Sequence, residues 1–136
     1  SWQFIAGFFD AEGCITVPPA CGRLRLVIAQ KFDQILHKIK FFLEYQGLEC
    51  VSVTRSASGI CHLRVHSDAA SRFTLEQLLQ GGLLVKRRAA ELVLARSISE
   101  YTGTRFLLAP MVGNQGCHYR LTASGCDRAR YIYKLQ

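Results

Sequence analysis

The segment Phe4–Ile15 constrains the fold more than any other stretch of the chain. It reads FIAGFFDAEGCI: an apolar run with small residues inside it, two acids around an alanine, and then a glycine and a strand-like segment. Gly7 and Ala11 are four residues apart, so on a helix they share one face. Glycine weakens a helix interior by about 1 kcal/mol relative to alanine. Its presence indicates that this face packs closely against another backbone.

The two acids fall at the predicted end of this helix. Gly13 is expected to end it in the left-handed conformation that glycine adopts readily. Glu12 then lies at the C-terminus, where the negative end of the helix dipole disfavours a carboxylate but favours a bound cation. The large apolar side chains are expected to form a buried surface: Phe4, Ile5, Phe8 and Phe9. The segment predicts a buried helix that ends in a metal site, and a helix with a merely structural pair of capping acids is the alternative.

Residues 5–13, IAGFFDAEG, resemble the LAGLIDADG motif of homing endonucleases, with small residues, acids and glycine in register. In that family two such helices pack side by side, and the last acid of each holds divalent metal over the scissile phosphates of DNA. The resemblance implies that Glu12 and Gly13 bind metal and that Asp10 is the supporting acid. A glutamate is compatible with this role, because hard cations accept either carboxylate. The implied cofactor is Mg²⁺, roughly two or three ions per dimer, with Mn²⁺ or Ca²⁺ as substitutes.

The chain offers only one such motif, so a second carboxylate must come from elsewhere. A two-fold homodimer with paired first helices is the simplest source, and a second motif in a longer parent chain is the alternative. The residues expected to face the partner helix are Ala6, Gly7, Asp10 and Ala11. Because the chain begins at Ser1 and its only methionine is Met111, we expect a processed product or a piece of a longer protein.

The rest of the sequence alternates between strand-like and helix-like segments. Periodicity and turn residues predict strands at 14–17, 23–30, 50–55 and 60–66, and helices at 33–45, 67–80 and 86–101. This order resembles one LAGLIDADG half and implies an α+β fold, αββαββα, in which helices cover one face of an antiparallel, saddle-shaped sheet. We expect a single domain over 1–136, with a core at 1–102 and a C-terminal extension at 103–136. Within the extension, 117–122 suggests a short strand and 127–135 a basic helix.

A cationic face is predicted on the strands. Alternate residues of a strand share a face, and the expected DNA-binding residues are Arg23, Arg25, Arg55, His62, Arg64 and His66. The net charge of +7, from 17 Lys and Arg against 10 Asp and Glu, suits a phosphate backbone. Two-stranded ribbons fit the major groove, and arginine can contact guanine bidentately. We therefore expect double-stranded DNA on this face. RNA stays open as a ligand, and an ordinary solvated sheet face is the alternative.

Two more residues extend the resemblance. Gln30 ends the second strand, where the family often has a polar residue that orders water near the metal. Lys86 falls where the family often places a basic residue beside the active site. A lysine there would balance phosphate charge or position the attacking water. A solvated strand end and a surface lysine at a helix N-terminus are the alternatives.

The six cysteines and four histidines indicate neither a disulfide framework nor a zinc site. No two cysteines have C-x-x-C spacing, and His62 and His66 would lie about 13 Å apart along a strand. Buried free thiols in a reducing, intracellular compartment are expected, with organelle or nucleus left open. No apolar run approaches the ~20 residues of a membrane span, so no membrane partner is expected.

Together these features predict a site-specific homing endonuclease that hydrolyses phosphodiester bonds of double-stranded DNA with divalent metal, as a homodimer. The expected catalytic residues are Asp10, Glu12, Gln30 and Lys86. The alternative is a non-cleaving nucleic-acid binder on the same scaffold, either an intron RNA-splicing maturase or a DNA-binding regulator. An unrelated α+β domain that binds acidic proteins would require the first motif to be accidental.

Overall fold

The computed structural model of the protein describes residues 1–18 and 22–111. Their helices and strands are, in chain order, α1 (Trp2–Glu12), β1 (Gly13–Thr16), β2 (Arg25–Gln30), α2 (Asp33–Tyr45), β3 (Val51–Arg55), β4 (Cys61–Val65), α3 (Asp68–Gln80), α4 (Arg87–Leu94) and α5 (Tyr101–Met111). A short 3₁₀ turn at Ile98–Glu100 precedes α5. The predicted order αββαββα is confirmed, and α4 and α5 extend it.

The four strands form one antiparallel sheet in the order β1-β2-β4-β3. In the central pair, Leu26 lies opposite Val65 and Ile28 lies opposite Leu63. Buried and half-buried residues alternate along β4 and through most of β2, so one face of the sheet is apolar. That face packs with α1, α2 and α3 into a single core. The predicted α+β fold, with helices on one face of the sheet, is confirmed.

Helix α1 begins at a cap and buries one side. The Ser1 hydroxyl accepts a hydrogen bond from the Phe4 amide, 3.4 Å away, which satisfies one of the first amides of the helix. Ile5 and Phe9 are buried against the sheet. The predicted burial is wrong for Phe4, which is 53% exposed and stacks on Phe8 with ring centroids 6.0 Å apart. Phe4 lies about 100° around the helix from Ile5 and so faces outward.

Gly13 ends α1, but not in the predicted left-handed conformation. Its backbone is extended, with φ −81° and ψ 158°, and it is the first residue of β1. A Cβ at this position would overlap the ring and the carbonyl oxygen of Phe9. Glycine is therefore required by the close approach of Phe9, which lets the chain pass directly from helix into strand.

The single helix predicted at 86–101 is wrong, because α4 ends at Leu94 and a separate 3₁₀ turn at Ile98–Glu100 leads into α5. The guanidinium of Arg72 on α3 donates to the carbonyl oxygens of Leu94 at 2.6 Å and Arg96 at 3.0 Å, at the end of α4. Ser97 and Glu100 then form a capping box, in which the Ser97 amide donates to the Glu100 carboxylate at 2.8 Å. This box begins a new helical segment that leads into α5.

The extension predicted at 103–136 is helical as far as residue 111, and the strand and helix suggested at 117–122 and 127–135 lie outside the described residues. Cys61 is buried and Cys14 half-buried, as free thiols, whereas Cys50 is exposed, contrary to expectation, because it precedes β3 outside the core. No helix in the described part of the chain is long and apolar enough to cross a membrane.

Candidate active site and nucleic-acid interface

Asp10 holds the turn that joins α3 to α4. Its two carboxylate oxygens accept hydrogen bonds from the amide of Leu84 at 2.7 Å and from the amide of Lys86 at 3.0 Å. The Lys86 ammonium in turn donates to the main-chain oxygen of Asp10. Both oxygens of Asp10 are thus committed within its own chain, which makes it a positioning acid for Lys86. The structure brings together these two residues, which are 76 positions apart in the sequence.

Lys86 is not the surface lysine of the alternative interpretation, since it is only 7% exposed. Burial lowers its pKa, and the negative charges of the Asp10 and Glu12 carboxylates oppose that shift. Burial also raises the pKa of the neighbouring Cys14 thiol, which Lys86 partly offsets, so the thiol stays neutral near physiological pH. The result is a partly desolvated ammonium beside two carboxylates at the end of α1.

Glu12 is the last residue of α1 and is half-buried. Its carboxylate and the main-chain oxygen of Gly13 are hard oxygen donors at the negative end of a helix dipole, which suits Mg²⁺ or Ca²⁺. Within the described ranges, no group of three or more His, Cys, Asp or Glu side chains could hold a metal ion. Glu12 and Gly13 therefore offer two oxygen ligands that a hard cation accepts, and the side chains described do not complete a metal site by themselves.

Gln30 ends β2 close to this region. The sheet register places Gly13 opposite Ile28, two residues before Gln30. The Gln30 side-chain oxygen accepts from the amide of Lys31 at 2.7 Å, which leaves its NH₂ group for other partners. This geometry neither requires nor opposes a role in ordering water.

The strands that the structure describes contribute no acid to the open face of the sheet, meaning the side away from the helices. The register aligns the half-buried side chains of neighbouring strands on this face. Val27 of β2 lies opposite Arg64, which lies opposite Ser52 of β3. Arg25 of β2 is on this face, whereas Arg23 precedes the strand and lines a pocket with His66 and Asp68.

Hydrogen bonds between side chains order part of the open face. Arg64 donates to the hydroxyl of Thr54 at 2.6 Å, and a ring nitrogen of His66 lies 2.6 Å from the Ser52 hydroxyl. His62 is half-buried, and its Nδ1 has no hydrogen-bond partner among the described residues. Desolvation lowers the pKa of His62, and the positive charge of Arg64 lowers it further. The serine and threonine of β3 were not predicted as part of this face.

Arg55 does not lie on the open face, and its predicted place there is wrong. The pairing of β3 with β4 sets Arg55 opposite the buried Cys61, so its side chain points to the side that the helices cover. Its guanidinium contacts the Asp33 carboxylate at 2.8 Å, at the start of α2, and lowers the pKa of that carboxyl group. The sequence indicates this position, because Arg55 alternates with Val51 and Val53 along the strand and so shares their face.

Of the four α1 residues predicted to face a partner helix, only Gly7 and Ala11 are exposed. Ala6 is fully buried in the core of its own chain, so it cannot contact a partner helix. Asp10 is engaged with the turn before α4. Gly7 and Ala11 are exposed, and a Cβ at Gly7 would meet no atom within 4 Å. Phe4 and Phe8 lie beside them.

The fold is similar to solved homing endonuclease structures, although no family sequence model matches the chain and no curated protein does so significantly. I-CvuI, a homing endonuclease in complex with its target in the presence of Ca, matches with a TM-score of 0.66 and 24% identity over 98% of this chain and 93% of that one. The LAGLIDADG meganuclease I-AabMI, bound to uncleaved DNA, matches with a TM-score of 0.60 and 21% identity over 79% of this chain and 39% of that one. The homing endonuclease I-TnaI matches with a TM-score of 0.54 and 17% identity over 100% and 98%.

The chain therefore has the LAGLIDADG homing endonuclease fold. The resemblance inferred from residues 5–13 is confirmed at the level of fold.

Proposed function

We propose that the protein is a site-specific endonuclease that hydrolyses double-stranded DNA with a divalent metal, as a homodimer paired through α1. The observation that carries the proposal is the end of α1, where Glu12 and the buried Lys86 lie together beside a sheet face to which the described strands contribute no acid. A buried lysine has a desolvation cost, which a purely structural turn does not require. The neighbouring solved structures in complex with DNA support the same function.

The divalent ion would be held by Glu12 and the main-chain oxygen of Gly13 from each of two copies, and when bound it would supply charge stabilisation to the phosphate and a more acidic water. Asp10 holds the turn that carries Lys86. The Lys86 ammonium, partly desolvated, balances phosphate charge more strongly than a solvated lysine would. Gln30, at the end of β2, orders water beside this group.

DNA lies across the open face in this proposal. Arg64 and Arg25 on the central strands face the base edges of the major groove, and Arg23 and His66 are farther from α1, where they contact phosphates. Arg55 has no role in DNA binding, because it is on the covered side. We therefore expect Arg64 and Arg25 to set the sequence preference, and Arg23 and His66 to affect only the salt dependence of DNA binding.

A cleavage selection on a randomised duplex library with Mg²⁺ tests the function. We expect the wild type to yield discrete double-strand ends at one sequence, and Glu12→Gln to lose cleavage by at least about a thousandfold while binding the selected duplex. Glu76→Gln, on the exposed side of α3, is the matched control and should cut normally. Enrichment by binding without cutting would move the protein to the maturase or regulator class.

Analytical ultracentrifugation tests the assembly. Gly7→Leu places a bulky side chain on the exposed strip of α1, where a second helix would approach, and should yield monomers. Gly103→Leu, at an exposed glycine of α5 where a Cβ meets nothing within 4 Å, is the control. A Gly7→Leu protein that keeps the dimer mass would refute pairing through α1.

A further inference from the structure

Two large apolar side chains are exposed immediately before Lys86. Leu84 is 74% exposed and Val85 is 77% exposed, in the turn between α3 and α4. The main chain on either side of Val85 is fixed by the Asp10 carboxylate, through the amides of Leu84 and Lys86. The turn is therefore held from inside the chain while its apolar side chains point outward, and exposed apolar pairs of this kind indicate a contact surface.

The turn and the aromatic pair Phe4–Phe8 lie on opposite flanks of α1. At about 100° per residue, Ala11 is about 40° around the helix from Gly7, and these two define the middle of the exposed strip. On the same scale Phe8 is about 100° from Gly7, and Asp10, which carries the turn, is about 60° away in the other direction. The strip thus has an aromatic flank on one side and the Leu84–Val85 turn on the other.

A second copy brings these two flanks together. This step rests on the proposed function, which places both Glu12 carboxylates at one shared site, so the paired helices run parallel and the two-fold axis runs along them. A half-turn about such an axis exchanges left and right. The aromatic flank of each copy then faces the turn flank of the other.

We propose that the Leu84–Val85 turn of each copy packs against the partner's Phe4–Phe8 pair, so that assembly of the dimer completes the position of Lys86. The contact is continuous with the Gly7–Ala11 strip, and none of the four side chains that form it is charged. That match favours a second copy over a charged partner. Asp10 fixes the turn from one side, and the partner covers it from the other. Lys86 therefore reaches its working position only in the dimer, although it belongs to a single chain.

A complementary-charge experiment tests the contact without DNA or cleavage. Val85→Glu alone and Phe8→Lys alone should each raise the dissociation constant of the dimer at least about tenfold, measured by sedimentation. Mixed in equal amounts, the two variants should form a heterodimer with nearly wild-type affinity. One of its two contacts is then a Glu–Lys pair and the other is the native Val–Phe contact. Leu84→Glu with Phe4→Lys is a second pair that avoids the half-buried Phe8.

Phe106→Lys, on α5 and 66% exposed in the native chain, is the control and should not rescue Val85→Glu. Folded single variants with unchanged dimer affinity, or mixtures that stay monomeric, would overturn the contact. Sedimentation does not depend on nuclease activity, so the two proposals can fail independently. If the protein does not cut DNA in the selection but the mixed variants form the heterodimer, the proposed function is wrong and this contact stands.

Activity of a milder variant tests the effect on Lys86. At protein concentrations where it is fully dimeric, Val85→Ala should lower kcat several-fold with little change in KM for the selected duplex. Phe106→Ala should leave both unchanged. A fully dimeric Val85→Ala enzyme with wild-type kcat would refute the positioning of Lys86 by the partner.

Discussion

The end of α1 and the open face of the sheet are held by different kinds of interaction. At the end of α1, a carboxylate and an ammonium bond to main-chain groups, and glycine allows Phe9 to approach Gly13 closely. On the open face, Arg64 bonds to the Thr54 hydroxyl and His66 bonds to the Ser52 hydroxyl, so these contacts join one side chain to another. Main-chain partners cannot move without moving the fold, whereas side-chain partners can exchange.

The difference matches what each region is proposed to do. Groups that act on a phosphate need fixed geometry, since small displacements cost large factors in rate. A surface that reads base edges must adopt rotamers that fit a sequence, and hydrogen bonds between exposed side chains are released at low cost. The two regions should therefore respond differently to substitution.

Asp10→Asn should have the largest effect on the free energy of unfolding, because Asp10 joins the end of α1 to the turn before α4. An asparagine keeps one acceptor oxygen but turns an NH₂ group toward one of the two amides it must accept. We expect a loss of about 3 kcal/mol in the free energy of unfolding, measured by urea denaturation, with cleavage lowered more than tenfold because Lys86 is displaced. Glu76→Gln, at an exposed carboxylate on α3, is the control. An Asp10→Asn protein of wild-type stability would show that the turn does not depend on this acid.

Gly13→Ala should have the next largest effect. Its Cβ overlaps Phe9, and relieving such overlap typically costs about 1–3 kcal/mol, which thermal or urea unfolding would measure. Gly7→Ala gives the contrast, because a Cβ there meets nothing within 4 Å and alanine favours the helix by up to about 1 kcal/mol. Equal stability of the two variants would mean that the helix-to-strand passage is less tightly packed than the structure shows.

Arg64→Ala and Arg55→Ala compare the two sides of the sheet. Loss of Arg64 should weaken binding of the selected duplex by about 1–3 kcal/mol and relax its sequence preference, measured by fluorescence anisotropy on target and altered duplexes. Loss of Arg55 should leave affinity and preference unchanged, because its guanidinium is held by Asp33 on the covered side. A DNA-binding defect in Arg55→Ala would place it on the interface after all.

Local signals in the sequence predicted most of the fold. Helix α2 begins and ends where apolar spacing and the following Gly47 predicted. The strand ends differ from prediction by at most two residues, and the largest difference is Arg23 and Leu24 before β2. The errors arise where a residue distant in sequence decides the outcome. The break after α4 depends on Arg72 from α3, and the extended backbone of Gly13 depends on the ring of Phe9.

The candidate site shows the same division. The motif singled out Glu12 and Asp10, and a further match to the family singled out Lys86, but the bonds from Asp10 to the turn before α4 are tertiary and have no local signature. The sequence does not distinguish Leu84 and Val85 from core residues, because exposure of an apolar side chain cannot be seen in a sequence. Arg55 was assigned by its charge, although the strand alternation with Val51 and Val53 indicates the covered face.

His62→Asn should have the smallest effect on the free energy of unfolding. It tests whether the His62 imidazole on the open face is desolvated in the unbound protein. Desolvation and then Arg64 lower the pKa of His62 in the folded protein, so the unfolded chain, with a pKa of about 6.5, holds the proton more tightly. Stability therefore rises as pH increases through the window below that value and is lost on acidification. Between about pH 7 and pH 5, the free energy of unfolding should fall less in His62→Asn than in the wild type, while His37→Gln, at an exposed histidine of α2, serves as the control. If the free energy of unfolding of His62→Asn changes with pH as in the wild type, the imidazole is already solvated, and water covers this part of the open face before DNA binds.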